Sequence, residues 1–205
     1  MPVNFSQAQQ HLSHADPVLA EIISRHGPCT LSRKAGRQYF IALAEAILSQ
    51  QLSVKAAATI FKRFKEKLNG QVTPEKILQW RVPQFRAVGI SRQKTSYLRD
   101  LAANWQNGGL APRRFIKMND EEVIAALTQV KGIGRWTAEM FLIFSLLRPD
   151  VLPVGDLGFR NAVQRAYGLR KLPEAKRLEQ IATNWRPYRS IATWYMWASL
   201  DNKPM

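Results

Sequence analysis

Apolar residues recur along this chain at intervals of three and four, and no run alternates apolar and polar positions as a half-buried strand would. That period predicts an all-α fold. A strongly apolar helix is expected over residues 37–50 (YFIALAEAILSQ at its core), and a second after Ser53, a suitable N-cap, until Asn69-Gly70 stops it. The two read as a helical hairpin. Pro74 and Pro83 suit the first turns of short helices, and Ser91 can cap a longer one over 94–105 that Asn107-Gly108-Gly109 breaks. Residues 109–114 are the best linker. Asn119 or Asp120 caps a helix over 121–129, with acids in its first turn where the helix dipole favours them. Gly132-Ile133-Gly134 then separates it from a helix over 135–147, and further helices are expected over 157–167, 174–184 and 188–200. No internal repeat or low-complexity tract interrupts the series.

Of 205 residues, 46% are hydrophobic, enough to build a core. The apolar stretches are broken by charges within a dozen residues, and the opening MPVNFSQAQQHLSHADP has neither a basic nor an apolar leader region. Neither a membrane span nor a secretory signal is expected. The one cysteine, Cys29, excludes an internal disulfide, a cysteine-ligated zinc and a four-cysteine iron-sulfur cluster, and reads as a small buried hydrophobe in a reducing compartment. His11, His14 and His26 have no metal-ligand spacing, and no HxE with CxxC marks a deaminase zinc, so the three histidines read as surface or capping residues. Against 15 Asp and Glu stand 30 Lys and Arg, a formal charge of +15. Such a balance points to a polyanion, with a solubilising surface or an anionic membrane as the plainer readings.

Two short segments carry candidate chemistry. In Val130-Lys131-Gly132-Ile133-Gly134-Arg135-Trp136-Thr137-Ala138, two glycines flank an apolar residue between helices. Without Cβ atoms they allow close backbone approach, and the helix that starts there can hold a phosphate at its positive end, while Ile133 buries inward. An ordinary tight connection explains the same residues. Further on, Leu152-Pro153-Val154-Gly155-Asp156-Leu157-Gly158 sets one acid between glycines at a helix start. Asp156 there is either an N-cap or, near a DNA-binding turn, a carboxylate that stabilises positive charge at a sugar's anomeric carbon or orients a water.

With Ile47-Leu48-Ser49-Gln50-Gln51-Leu52-Ser53 and Trp185-Arg186-Pro187-Tyr188-Arg189-Ser190, these segments resemble the helix-hairpin-helix base-excision DNA glycosylases, and within them the 3-methyladenine DNA glycosylase II, or alkylated-base, branch. The resemblance covers roughly residues 37–200. It implies two interleaved helical lobes with a helix-hairpin-helix DNA-binding motif and a cleft between them: a first lobe mainly over 37–110, and a hairpin and catalytic lobe over 111–205 on which segment 1–36 packs. The stretch before residue 37 is too short for the β domain of some relatives.

The resemblance also assigns roles. Asp156 is the catalytic carboxylate. Gln51 and Leu52 stand in the loop that probes the duplex, one filling the vacated stack and the other contacting the opposite base, with the division between them open. Lys131, Gly132, Ile133, Gly134, Arg135 and Thr137 form the hairpin, and Lys131, Arg135 and Arg160 are placed near phosphates, whereas Lys62, Arg63, Lys65 and Lys67 read as a solvated helix face. Lys131 replaces the proline common before the first hairpin glycine. Trp136 stands where strand-cleaving members carry lysine, so no amine is available for a Schiff base and a monofunctional hydrolase is implied. Its indole can stack on a cationic alkylated base. Trp185, Tyr188, Met140, Tyr39 and Phe40 complete the expected base pocket, while Trp80, Trp105, Trp194 and Trp197 read as core filling.

The expected activity is excision of an alkylated purine, of 3-methyladenine or 7-methylguanine type, from double-stranded DNA by a monomer. It is expected in the cytoplasm or nucleoid of a bacterium or the nucleus of a eukaryote, without a required cofactor; a monovalent cation at the hairpin carbonyls is compatible with the family. A glycosylase of this fold for a deaminated or oxidised base, or a non-catalytic helix-hairpin-helix DNA-binding protein, are the alternatives.

Overall fold

The computed structural model describes residues 4–32 and 36–200, with Gly36 and Arg37 as backbone only. Residues 1–3 and 33–35 of the segment expected to pack on the second lobe lie outside the described residues, as do 201–205. Every regular element described is helical.

Two compact units emerge, a contiguous one within residues 36–141 and a discontinuous one made from residues 4–32 and 142–200. The break falls after Phe141, whereas the resemblance implies a first lobe mainly over 37–110. The reason is local stitching: the Lys131 N–H donates to Asp100 Oδ2 at 2.9 Å, Gln50 Nε2 donates to the Gly132 carbonyl at 2.7 Å, and the Phe115 ring meets Phe141 edge-on at 5.4 Å. These contacts bind the hairpin to the helices that precede it.

The discontinuous unit opens with two helices that the sequence reading left unassigned, α1 (Phe5–Ala15) and α2 (Pro17–His26). Asp16 separates them. Its Oδ1 caps α2 by accepting the N–H groups of Val18 and Leu19, and Pro17 at the first helical position suits the start.

The contiguous unit holds α3 (Gly36–Ser49), α4 (Val54–Lys67), α5 (Pro74–Gln79), α6 (Val82–Ala87), α7 (Arg92–Gln106), α8 (Pro112–Phe115), α9 (Asp120–Thr128) and α10 (Arg135–Phe141). Ser53, Ser91 and Asn119 cap α4, α7 and α9 as expected, and Asn119 and Glu122 form a reciprocal capping box. The expected linker is not open chain, because α8 begins within it, and Leu110 inside it and Phe115 just after it are buried. The apolar face of α3 is the centre of this unit, packed by α4, α7, α8 and α10.

After α10 the backbone widens into a π-helical turn, Leu142–Leu146, in place of the α-helix expected to 147. The rest of the discontinuous unit is α11 (Leu157–Ala166), α12 (Ala175–Ile181), a 3-10 turn (Ala182–Trp185) and α13 (Arg189–Ala198). α13 is its axis, buried from Ser190 to Met196 and packed by α1, α2 and α11. No described helix is long and apolar enough to cross a membrane.

Candidate active site and nucleic-acid interface

Asp156 is the N-cap of α11, and its Oδ1 accepts the Phe159 N–H at 2.6 Å. The same oxygen accepts the indole N–H of Trp197 at 2.9 Å. Trp197 is thus not core filling. It is half-buried and lies nearly parallel to Phe144, with ring centroids 5.6 Å apart and 18° between planes. Phe144 comes from the π-helical turn, and such turns re-aim side chains that a regular helix would direct elsewhere. The result is a carboxylate fixed by two donors beside a half-exposed aromatic pair. The alternation of Trp, Tyr and Met in α13 marked its aromatics as candidates but could not say which one reaches an acid 41 residues away.

Trp185 has the opposite fate. It is 0% exposed, its ring packs on Phe159, and its N–H donates to Asp16 Oδ2 at 3.0 Å. The Tyr167 hydroxyl donates to that same oxygen. Burial and the neighbouring Asp16 carboxylate push the Tyr167 phenol well above its ordinary pKa. Trp185 is therefore a structural member of a buried Asp16 network and is removed from the expected base pocket. Tyr39 and Phe40 are corrected likewise. Tyr39 is buried between Phe115 and Phe141, and Phe40 meets Trp105 edge-on at 5.3 Å. Phe40 and Trp105 line a largely apolar cavity of about 680 Å³ that contains no hairpin or probing-loop residue. Tyr188 stays half-buried, edge-on to His11 at 5.4 Å.

The hairpin has the expected form. Gly132 takes φ +82°, and a Cβ there would run into the Tyr97 ring, so both the backbone twist and the close approach demand glycine. The Ile133 N–H closes the turn on the Val130 carbonyl at 3.0 Å, and Ile133 and Thr137 are buried. Lys131 and Gly134 are exposed. Trp136, in the first turn of α10, is 49% exposed, and Met140 follows one turn later, half-buried. Arg135 departs from expectation. Its guanidinium holds Glu121 through two bonds, at 2.5 and 3.0 Å, and Glu139 at 3.1 Å, which raises its own pKa and lowers that of Glu121. It braces α9 against α10. Arg160 donates through Nε to the Pro173 carbonyl at 3.0 Å.

The loop expected to probe the duplex is presented outward. Gln51 is exposed with φ +57°, and Leu52 is 38% exposed. Two residues that sequence reasoning missed hold it. Gln50 ties the loop to the hairpin through the Gly132 carbonyl, and Lys94 Nζ donates to the carbonyls of Leu48 and Gln50 at 2.6 and 2.7 Å, closing the end of α3. Burial lowers the Lys94 pKa. Among the described residues, no group of three or more His, Cys, Asp or Glu side chains is placed to hold a metal ion.

Residues 44–187 match the family model described as HhH-GPD superfamily base excision DNA repair protein. The DNA-3-methyladenine glycosylase 1 of Schizosaccharomyces pombe is 37% identical over 200 residues, covering 95% of this chain and 87% of that protein. The solved structure of S. pombe 3-methyladenine DNA glycosylase (Mag1) in complex with abasic DNA superposes with a TM-score of 0.85 at 36% identity, over 97% of this chain and all of that one. A DNA-3-methyladenine glycosidase from Bacillus halodurans gives 0.82 at 33% identity, over 94% and 88% of the two chains.

Proposed function

We propose, from the premise that this chain belongs to the HhH-GPD superfamily of base excision DNA repair proteins, that it is a DNA glycosylase excising alkylated purines from duplex DNA by hydrolysis. The S. pombe and Bacillus halodurans relatives, named for 3-methyladenine, support that substrate class. The observation that carries the reaction is Asp156 fixed by Phe159 and Trp197 next to the Phe144–Trp197 stack.

The base of a purine nucleotide alkylated at N3 or N7 is cationic. Aromatic faces attract it by roughly 0.5–2 kcal/mol per contact, and its charge makes it a good leaving group, so little general-acid help is needed. The bond between the sugar C1′ and the base nitrogen breaks with its electron pair going to the base. Asp156 stabilises the oxocarbenium-like sugar, water adds its oxygen to C1′ and loses a proton, and free base and an abasic site result. Capping and catalysis are compatible, because the cap holds the carboxylate still. Trp136 in place of an amine makes the enzyme a hydrolase without strand cleavage. Leu52 or Gln51 fills the gap left by the flipped nucleotide. No cofactor is required by this scheme, and a monomer suffices for it.

The test is chromatography of bases released from methylated duplex DNA. Wild type should release 3-methyladenine or 7-methylguanine, and Asp156→Asn should lose at least about 100-fold in rate while still binding DNA. Equal release by the variant would remove Asp156 from the mechanism. A wild type that binds DNA but releases neither base overturns the alkylated-purine reading.

A further inference from the structure

The cations of this protein differ in availability. Arg135 is committed to Glu121 and Glu139, Arg189 to Asp150, Arg99 to the carbonyls of Leu78 and Trp80, and Lys94 to those of Leu48 and Gln50. α4 differs. It carries Lys55, Lys62, Arg63, Lys65 and Lys67 against one carboxylate, Glu66, and all six are exposed. The Lys62–Glu66 pair stands at 4.0 Å with both side chains mostly in water, a geometry that neutralises little.

These charges are arranged as well as numerous. Lys55 and Arg63 flank a shallow groove with Thr59 between them, and Arg63 and Lys67 line a second with Glu66, beside Ala87 and Val88. At 1.5 Å rise per residue, Lys55 and Arg63 lie about 12 Å apart along the axis and Lys67 about 6 Å further on. The row starts just after the probing loop, at the positive end of the helix. Val54 is the only large apolar side chain that α4 exposes, so the helix lacks the apolar stripe that insertion into a lipid surface needs.

We infer that this face of α4 is a second phosphate-binding surface, which holds the backbone of duplex DNA outside the lesion step without reading its sequence. The inference rests on the reading of duplex DNA as substrate. Its physical basis is counterion release, which lowers the slope of log K against log salt by about 0.9 for each phosphate neutralised.

The probe is an undamaged 30-bp duplex, titrated by fluorescence anisotropy across a salt series with wild type and a Lys55→Gln, Arg63→Gln, Lys67→Gln triple variant. The triple should lose roughly 2 to 3 from the slope magnitude and about 10- to 100-fold in affinity at moderate salt. A control of equal charge change, Arg113→Gln with Lys117→Gln and Lys176→Gln, should lose less than about 1. Glu66→Gln provides a reading in the opposite direction should the triple not fold, and should tighten binding. An unchanged slope in the folded triple, an equal loss in the control, or no tightening with Glu66→Gln overturns the α4 surface. Failure of wild type to bind duplex at all would instead overturn the substrate reading.

Discussion

Replacing Trp197 with Phe separates the two things that this residue does. The variant keeps an aromatic ring against Phe144 and deletes the indole N–H that donates to Asp156 Oδ1 at 2.9 Å. A hydrogen bond to a charged group contributes about 1.5–3 kcal/mol. Expressed fully in the transition state, that corresponds to a rate loss of roughly 10- to 150-fold. The lower part of the range is expected, because the Phe159 N–H remains at 2.6 Å on the same oxygen and keeps the carboxylate near its rotamer. Single-turnover release of 7-methylguanine, measured against enzyme concentration, gives the maximal rate and the half-saturating concentration separately. Trp197→Phe should lower the first and leave the second within about threefold, since the surface offered to the base survives. Trp197→Leu should affect both. A Phe variant with the wild-type maximal rate would show that the indole N–H does not position Asp156, and a loss confined to half-saturation would assign Trp197 to base binding alone.

Further predictions concern the hairpin and alkaline pH. Gly132→Ala puts a Cβ into the Tyr97 ring at a φ of +82°, so strain and overpacking together should cost about 2–5 kcal/mol, read from urea unfolding. Combining it with Tyr97→Ala should recover the steric part only, and no coupling between the two would contradict the packing argument. Burial pushes the Cys29 thiol up to about 11 from an ordinary 9.0, so the folded state holds that proton longer than the unfolded chain. Its contribution to stability is complete below pH 9 and disappears as pH rises toward about 11, with the Tyr167 and Tyr195 phenols, also raised by burial, acting in the same direction. The urea midpoint should therefore fall over this range, and Cys29→Ala should flatten the part of the fall that begins near pH 9.

What the sequence disclosed was mainly local. Ser53, Ser91, Asn119 and Asp156 each announce a helix start by side-chain chemistry acting over three residues, and the glycine-flanked Ile133 announces a turn. α1 and α2 carry the same kind of signal, in Asn4 and in the Asp16-Pro17 pair, but the apolar stripe of α1 is interrupted by His and Gln and α2 is only 10 residues long. Trp185 and Trp197 exchange their expected places for a different reason. Trp185 and Trp197 have equal local claims to either role, and only long-range partners, Asp16 for one and Asp156 for the other, decide which is buried. Arg135 shows the same limit, since its capture by Glu121 depends on how α9 meets α10. The π-helical turn that delivers Phe144 has no periodicity of its own to read.

The Asp16 network also bears on the order in which the chain assembles during its synthesis. The partners of this carboxylate lie 151 and 169 residues further along, at Tyr167 and Trp185. At roughly 5–20 residues per second, a ribosome needs on the order of 10 to 30 s to deliver them. Throughout that interval, α1 and α2 have been made without their packing surface, while residues 36–141 form a unit that is complete as soon as Phe141 emerges. The loop over residues 50–53 and the hairpin can thus be shaped early, and Asp156 gains its supporting helices last, when α13 arrives to meet the opening helices of the nascent chain.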